Sequence, residues 1–105
     1  MDNNAREFDL AVILSMTTGR LLCNWYDLCD LANYLLGYYA YELDMAYNQC
    51  LMADYILEQY PQLKNVDYAL DLLKSREQIE EFIAKLKAKF GNSLTLNPMS
   101  NNKKI

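Results

Sequence analysis

Four consecutive residues, Thr17-Thr18-Gly19-Arg20, bring two hydroxyls, a flexible backbone and one cation together. Such donors suit a phosphate or a carboxylate. The spacing is that of no established phosphate loop, and the same residues equally suit a helix end, with Arg20 satisfying carbonyls or pairing with an acid such as Asp27. Thr17, Thr18 and Arg20 are therefore an anion site or a cap. Carboxylates also come in close pairs: Asp27 with Asp30, Glu42 with Asp44, and Asp54 with Glu58 at a spacing of four. Carboxylates alone hold Mg2+ or Ca2+, but helical dicarboxylate sites normally recruit further ligands, often histidine. The chain has no histidine, so these acids read as solvated faces, and neither a metal nor another cofactor is expected.

The same absence removes the side chain best suited to proton transfer near neutral pH. A Ser-His-Asp or Cys-His pair cannot be built from this chain alone, nor can a His-Glu-x-x-His or Cys2His2 zinc site. The Asp, Glu, Tyr, Lys and Cys residues that remain show no arrangement pointing to a reaction. The expectation is a protein that is not an enzyme.

The strongest signal for binding is tyrosine. All nine lie between residues 26 and 68, and a tyrosine offers large, rigid contact area with a polar tip. Tyr38, Tyr39, Tyr41 and Tyr47, interleaved with Glu42 and Asp44, form the candidate partner-binding region. The competing structural reading is a half-buried core whose hydroxyls reach its rim. Acids among tyrosines also suit a nucleic-acid mimic, although the net charge of −4 is modest for one. Direct nucleic-acid binding is not expected, because no basic patch is paired with stacking aromatics.

Charge is divided unevenly. Residues 1–60 hold nine acids against Arg6 and Arg20, a net −7, and residues 61–105 hold five acids against eight lysines and arginines, a net +3. Such polarity orients a partner or a second copy of the chain, or simply reflects solvated helix faces. Cys23, Cys29 and Cys50 form no CxxC pair, and an odd count argues against a disulfide framework. The polar start Met1-Asp2-Asn3-Asn4, followed by a short apolar run at Leu10–Leu14, fits neither a signal peptide nor a membrane span. A cytoplasmic protein that does not enter the membrane is expected.

These groups must be positioned by helices. At 105 residues, 52% hydrophobic and with 3 Gly and 2 Pro, the chain has the length of one domain and the apolar area for a packed core. Phe8, Leu10, Ala11, Ile13 and Leu14 predict a short helix closed by Gly19, with Arg20–Cys23 as an extended link. Asn24 caps a helix from Trp25 to Leu36, apolar around most of its circumference and so expected to be central, with Gly37 closing it. A longer helix over 41–59 ends at Pro61. Val66-Asp67 starts a short helix, and Ser75-Arg76-Glu77-Gln78 has the form of a capping box before the stripe Ile79, Phe82, Ile83, Leu86, Phe90, closed by Gly91. Ser93–Asn97 alternates as a strand whose partner is either residues 20–23 or a second chain. The fold expected is mainly α: a compact bundle of four to five helices with a short C-terminal β-strand, a single domain over 1–98 and a flexible tail over 99–105.

Several landmarks resemble a known family. Phe8-Asp9-Leu10, Leu14-Ser15, Thr17-Thr18-Gly19-Arg20-Leu21-Leu22 and Tyr34-Leu35-Leu36-Gly37 resemble the opening of a family of small phage and prophage proteins described as a domain of unknown function. Leu57-Glu58-Gln59-Tyr60-Pro61-Gln62-Leu63 is similar to its Leu-Glu-Gln-His-Pro-x-Leu segment, and Phe90-Gly91-Asn92-Ser93-Leu94 to its closing glycine and strand. The chain departs where the family has Thr-His-Gln-Leu-Pro-Arg: Tyr41-Glu42-Leu43-Asp44-Met45-Ala46 stands there instead, which puts any function carried by that His and Arg in doubt. The resemblance implies a phage or prophage origin and supplies no biochemical activity. The expected function is a non-enzymatic protein that binds and modulates an unidentified host protein, for instance as an anti-defence inhibitor in the host cytoplasm. The alternatives are a self-assembling structural or accessory protein, such as a homodimer, and, behind both, the acidic nucleic-acid mimic.

Overall fold

The computed structural model describes residues 5–37 and 42–99, with backbone alone at 42–44. In chain order the elements are β1 (Arg6–Asp9), α1 (Leu10–Thr18), α2 (Trp25–Leu36), α3 (Glu42–Gln59), a 3-10 turn (Pro61–Leu63), α4 (Val66–Leu70), α5 (Arg76–Phe90) and β2 (Ser93–Leu96). Among the described residues the fold is mainly helical with five helices, within the four to five expected.

Local chemistry sets the helix ends. The Asp9 carboxylate accepts from the Ala11 amide at the start of α1, Asn24 from that of Asp27, and Ser75 from that of Gln78. Each satisfies an amide that the first helical turn leaves without an internal partner. The Gln78 side chain reaches back to the Lys74 amide at 2.7 Å, one residue before the cap, so the reciprocal box is shifted by one position. Gly19 and Gly37 take the left-handed conformation at φ 78° and 81° and return their amides to Ser15 and Asn33. Gly91 differs: at φ 109° and ψ 154° it turns the chain directly from α5 into β2.

The central helix is α1, not α2 as the apolar circumference of α2 suggested. Six of its nine residues, Leu10, Val12, Ile13, Leu14, Ser15 and Met16, are buried, and it packs on α2, α3, α4 and both strands. In α2 only Leu31, Ala32 and Leu35 are buried, because the other faces carry Trp25, Tyr26, Asp27 and Asp30 into solvent. Ser15 is tolerated in the core because its hydroxyl donates to the Ala11 carbonyl at 2.9 Å and accepts from the Leu22 amide at 2.8 Å.

That last bond bears on the strand. The partner of β2 is β1, antiparallel, with Arg6 opposite Leu96, Glu7 opposite Thr95 and Phe8 opposite Leu94. Residues 20–23 do not pair: the Leu22 amide is taken by Ser15 and the segment turns at its ends. Phe8 and Leu94 share the buried face while Glu7 and Thr95 point out, the two-residue alternation of a half-covered sheet. Phe8, assigned to the first helix by its apolar character, thus belongs to a strand. Met99, assigned to the tail, is buried to 4% exposure, and its amide donates to the Leu35 carbonyl at 3.0 Å. The packed chain therefore continues past residue 98, and residues 100–105 lie outside the described part.

Candidate functional site

At the end of α1, Thr17 and Thr18 both direct their hydroxyls to the Leu14 carbonyl, at 3.4 and 2.6 Å. Thr18 Oγ1 in turn accepts from the Arg20 amide, and the Gln49 side chain of α3 donates to the Met16 carbonyl at 2.6 Å. The Arg20 guanidinium pairs with Asp71 and, through Nε at 3.8 Å, with Asp67. The expected partner Asp27 instead caps α2 together with Asn24. The hydroxyls bond within the chain and the cation pairs there: the three residues terminate α1 and tie it to α4.

The tyrosines divide into groups. Tyr34, Tyr55 and Tyr60 donate their phenols to the carbonyls of Leu96, Pro98 and Thr95, at 2.7, 3.2 and 2.7 Å. They fasten the C-terminal strand to α2 and α3. Burial pushes the Tyr34 and Tyr55 phenols above their ordinary range, with the Glu58 charge adding to the effect at Tyr55. Tyr26, Tyr47 and Tyr68 stand in solvent. Of the candidate binding residues, Tyr38, Tyr39 and Tyr41 lie outside the described residues. Glu42 and Asp44 occupy the first turn of α3 with side chains outside the description, and Tyr47 is 89% exposed.

The acid pairs separate as well. Asp30 binds Arg6 at 2.9 Å, whose guanidinium also lies over the Phe8 and Tyr34 rings. Asp54 and Glu58 are exposed on α3. Among the described residues no three Cys, Asp or Glu side chains gather as metal ligands, and no helix is long and apolar enough to cross a membrane. Cys23 lies 3.5 Å from Ser15 Oγ; burial raises its thiol pKa, the Ser15 contact opposes this, and Asp27 and Asp9 add to the rise. The three cysteines form no disulfide.

Sequence reading missed a cleft of about 360 Å³ between the end of α1, the 20–25 link, α2 and the first half of α3. Met16, Leu21, Trp25, Leu28, Met45 and Ala46 supply its apolar walls, and Arg20 and Gln49 its polar edge. Leu21 and Trp25 are 59% and 39% exposed, while Tyr47 and Leu51, 89% and 48% exposed, lie one turn apart on the face of α3 turned away from Met45 and Gln49. Isolated exposed apolar residues are ordinary; Leu21 and Trp25 stand together in the lining of one cleft. The available signal was the apolar character of Leu21 and Trp25; what hid it is that the walls come from four segments.

A family model described as a domain of unknown function (DUF7736) matches residues 8–41, about a third of the chain. The matched segment contains β1 from Phe8, all of α1 and α2, and seven of the ten cleft-lining residues, Ser15 to Leu28. No curated protein and no solved structure matches the chain; the similarity found is to that domain of unknown function, over residues 8–41.

Proposed function

We propose that this chain is a non-enzymatic binding module of phage or prophage origin that occludes a surface of a host protein in the host cytoplasm. The observation that supports the reading is the apolar cleft with the exposed Leu21 and Trp25 in its lining, because aromatic and aliphatic anchors around a concavity concentrate binding energy. The origin rests on the ordered landmarks from Phe8 to Leu94. The test is a paired capture from the bacterial host, with and without infection, using the parent chain, Tyr47→Ala, Leu21→Glu and the Tyr39→Ala/Tyr41→Ala pair. A stoichiometric host protein lost from Tyr47→Ala and Leu21→Glu supports the reading. Retention by every variant removes this surface as the epitope.

A second reading, self-assembly as an accessory protein, is favoured by α5. Its stripe Ile79, Phe82, Ile83, Leu86 and Phe90 packs on the core, yet none of its fifteen residues is fully buried, and a cleft of about 710 Å³ runs between it and the 21–24 link. Sedimentation decides: a monomer at high concentration removes self-assembly.

A further inference from the structure

We infer that the chain assembles head to tail: the outer face of α3 on one copy, carrying Tyr47, Leu51, Asp54 and Glu58, docks in the groove around Leu21 on the next. This rests on the self-assembly reading and names the two surfaces that meet.

The groove is one surface in two parts. Leu21 lines both the cleft of about 360 Å³ beside α2 and α3 and the cleft of about 710 Å³ beside α5, so the two adjoin at this exposed side chain. Trp25, Leu28, Leu73, Ile79 and Ile83 supply apolar lining on either side of it. The charged lining residues are Arg20, Lys74, Arg76 and Glu80, three cations against one acid. Arg20 is held by Asp67 and Asp71, and Arg76 shares Glu80 in an exposed pair at 3.6 Å. Lys74 pairs with no acid among the described residues. It adjoins the Ser75-capped start of α5, the positive end of a fifteen-residue helix. The groove thus joins apolar walls to a positive end.

The chain carries the complement of that groove itself. Tyr47, Leu51, Asp54 and Glu58 follow one another at spacings of four, three and four, which places them on one face of α3. All four are exposed, the apolar pair first and the acidic pair after it, and α3 contains no lysine or arginine. This face is turned away from Met45 and Gln49, which line the groove of the same copy, so it meets a groove only on another molecule. Two such faces set against each other would oppose acids with acids, whereas face against groove sets acids against cations, a discrimination that fixes register and partner. A face and a groove on different sides of a chain make a heterologous contact, which repeats from copy to copy. Four residues over about 16 Å of helix make a small interface, so the association is weak and concentration-dependent.

Complementation of two variants is the test. Sedimentation velocity of the full chain from about 10 µM to about 1 mM, the range of weak affinities, is expected to show a mass that rises with concentration beyond that of a dimer. Leu21→Glu removes the groove and Leu51→Arg the face, both at exposed positions, with unchanged circular dichroism as the control for folding. Each variant alone is expected to be monomeric, and their equimolar mixture to form a dimer and nothing larger, because one intact groove then meets one intact face. Asp54→Lys/Glu58→Lys is expected to weaken self-association roughly fivefold at low salt and less at about 0.5 M salt. Adding Lys74→Glu/Arg76→Glu to that chain is expected to restore it. A parent chain that stays monomeric throughout overturns the inference and the self-assembly reading together. Self-association that survives in either single variant, or variants that do not complement each other, overturns the head-to-tail contact and leaves self-assembly by another surface standing. A monomeric chain whose captured host protein is lost with Leu21→Glu gives the groove to that protein and likewise overturns the inference.

Discussion

Tyr34, on α2, donates its phenol to the carbonyl of Leu96, on β2, at 2.7 Å across 62 residues of sequence. Leu96 is fully buried and stands opposite Arg6 at the end of the ladder with β1, so this bond fastens the end of the last strand to α2. Tyr60 donates to Thr95 and Tyr55 to Pro98 in the same manner. Tyr34→Phe keeps the ring against Phe8 and removes only the hydroxyl. It is expected to cost about 0.5–1.5 kcal/mol in urea unfolding, with Tyr26→Phe, an exposed tyrosine, as the near-neutral control.

The same phenols make stability fall in alkali. Burial raises Tyr34 and Tyr55 above the ordinary value of 10.0, so the folded chain holds these protons more tightly than the unfolded chain. Below pH 10 both states are protonated and the contribution is complete. As pH rises through the unfolded value and then the folded ones, the unfolded state ionises first and stability is lost. Thermal unfolding from pH 8 to 11.5 is expected to show this fall, and the Tyr34→Phe/Tyr55→Phe double variant a shallower one.

Arg20 joins the end of α1 to α4 through side chains that remain partly in solvent. Exposed ion pairs contribute little and are screened by salt. Arg20→Gln is expected to cost at most about 1 kcal/mol at low salt, shrinking at high salt. Millimolar phosphate is expected to leave the Tm of the parent chain unchanged. A phosphate-dependent rise abolished by Arg20→Gln would establish an anion site there.

Met99 marks where packing ends within the described chain. It is buried, and its amide bonds to Leu35, the last buried residue of α2. Met99→Ala is expected to cost about 2–5 kcal/mol by chemical denaturation, the range for emptying a buried methionine position. A cost near zero would return residue 99 to a tail.

Helix ends were legible because they depend on neighbours in sequence: Asn24 and Ser75 as N-caps, Gly19 and Gly37 as left-handed stops, and Pro61 after α3 act within one turn. The strand at 93–96 was legible from its alternation, but its partner was not. Arg6-Glu7-Phe8-Asp9 alternates over only four residues and runs straight into an apolar helix, which masks its period. The rank of α1 over α2 was hidden for a related reason. An apolar circumference shows that a helix can be surrounded, while which helix is surrounded depends on where the others dock.

The candidate site divides in the same way. From the sequence alone follow the lack of histidine chemistry, the acidic first sixty residues and the supply of tyrosines, since composition and order need no fold. Tertiary structure decided which tyrosines are fasteners and which stand in solvent, that Arg20 belongs to Asp67 and Asp71, and that Leu21, Trp25, Met45 and Ala46 enclose one cleft. Those relationships join residues twenty to sixty positions apart, and only docking of the helices, driven by burial of apolar surface that no local pattern aims at a particular partner, brings them together.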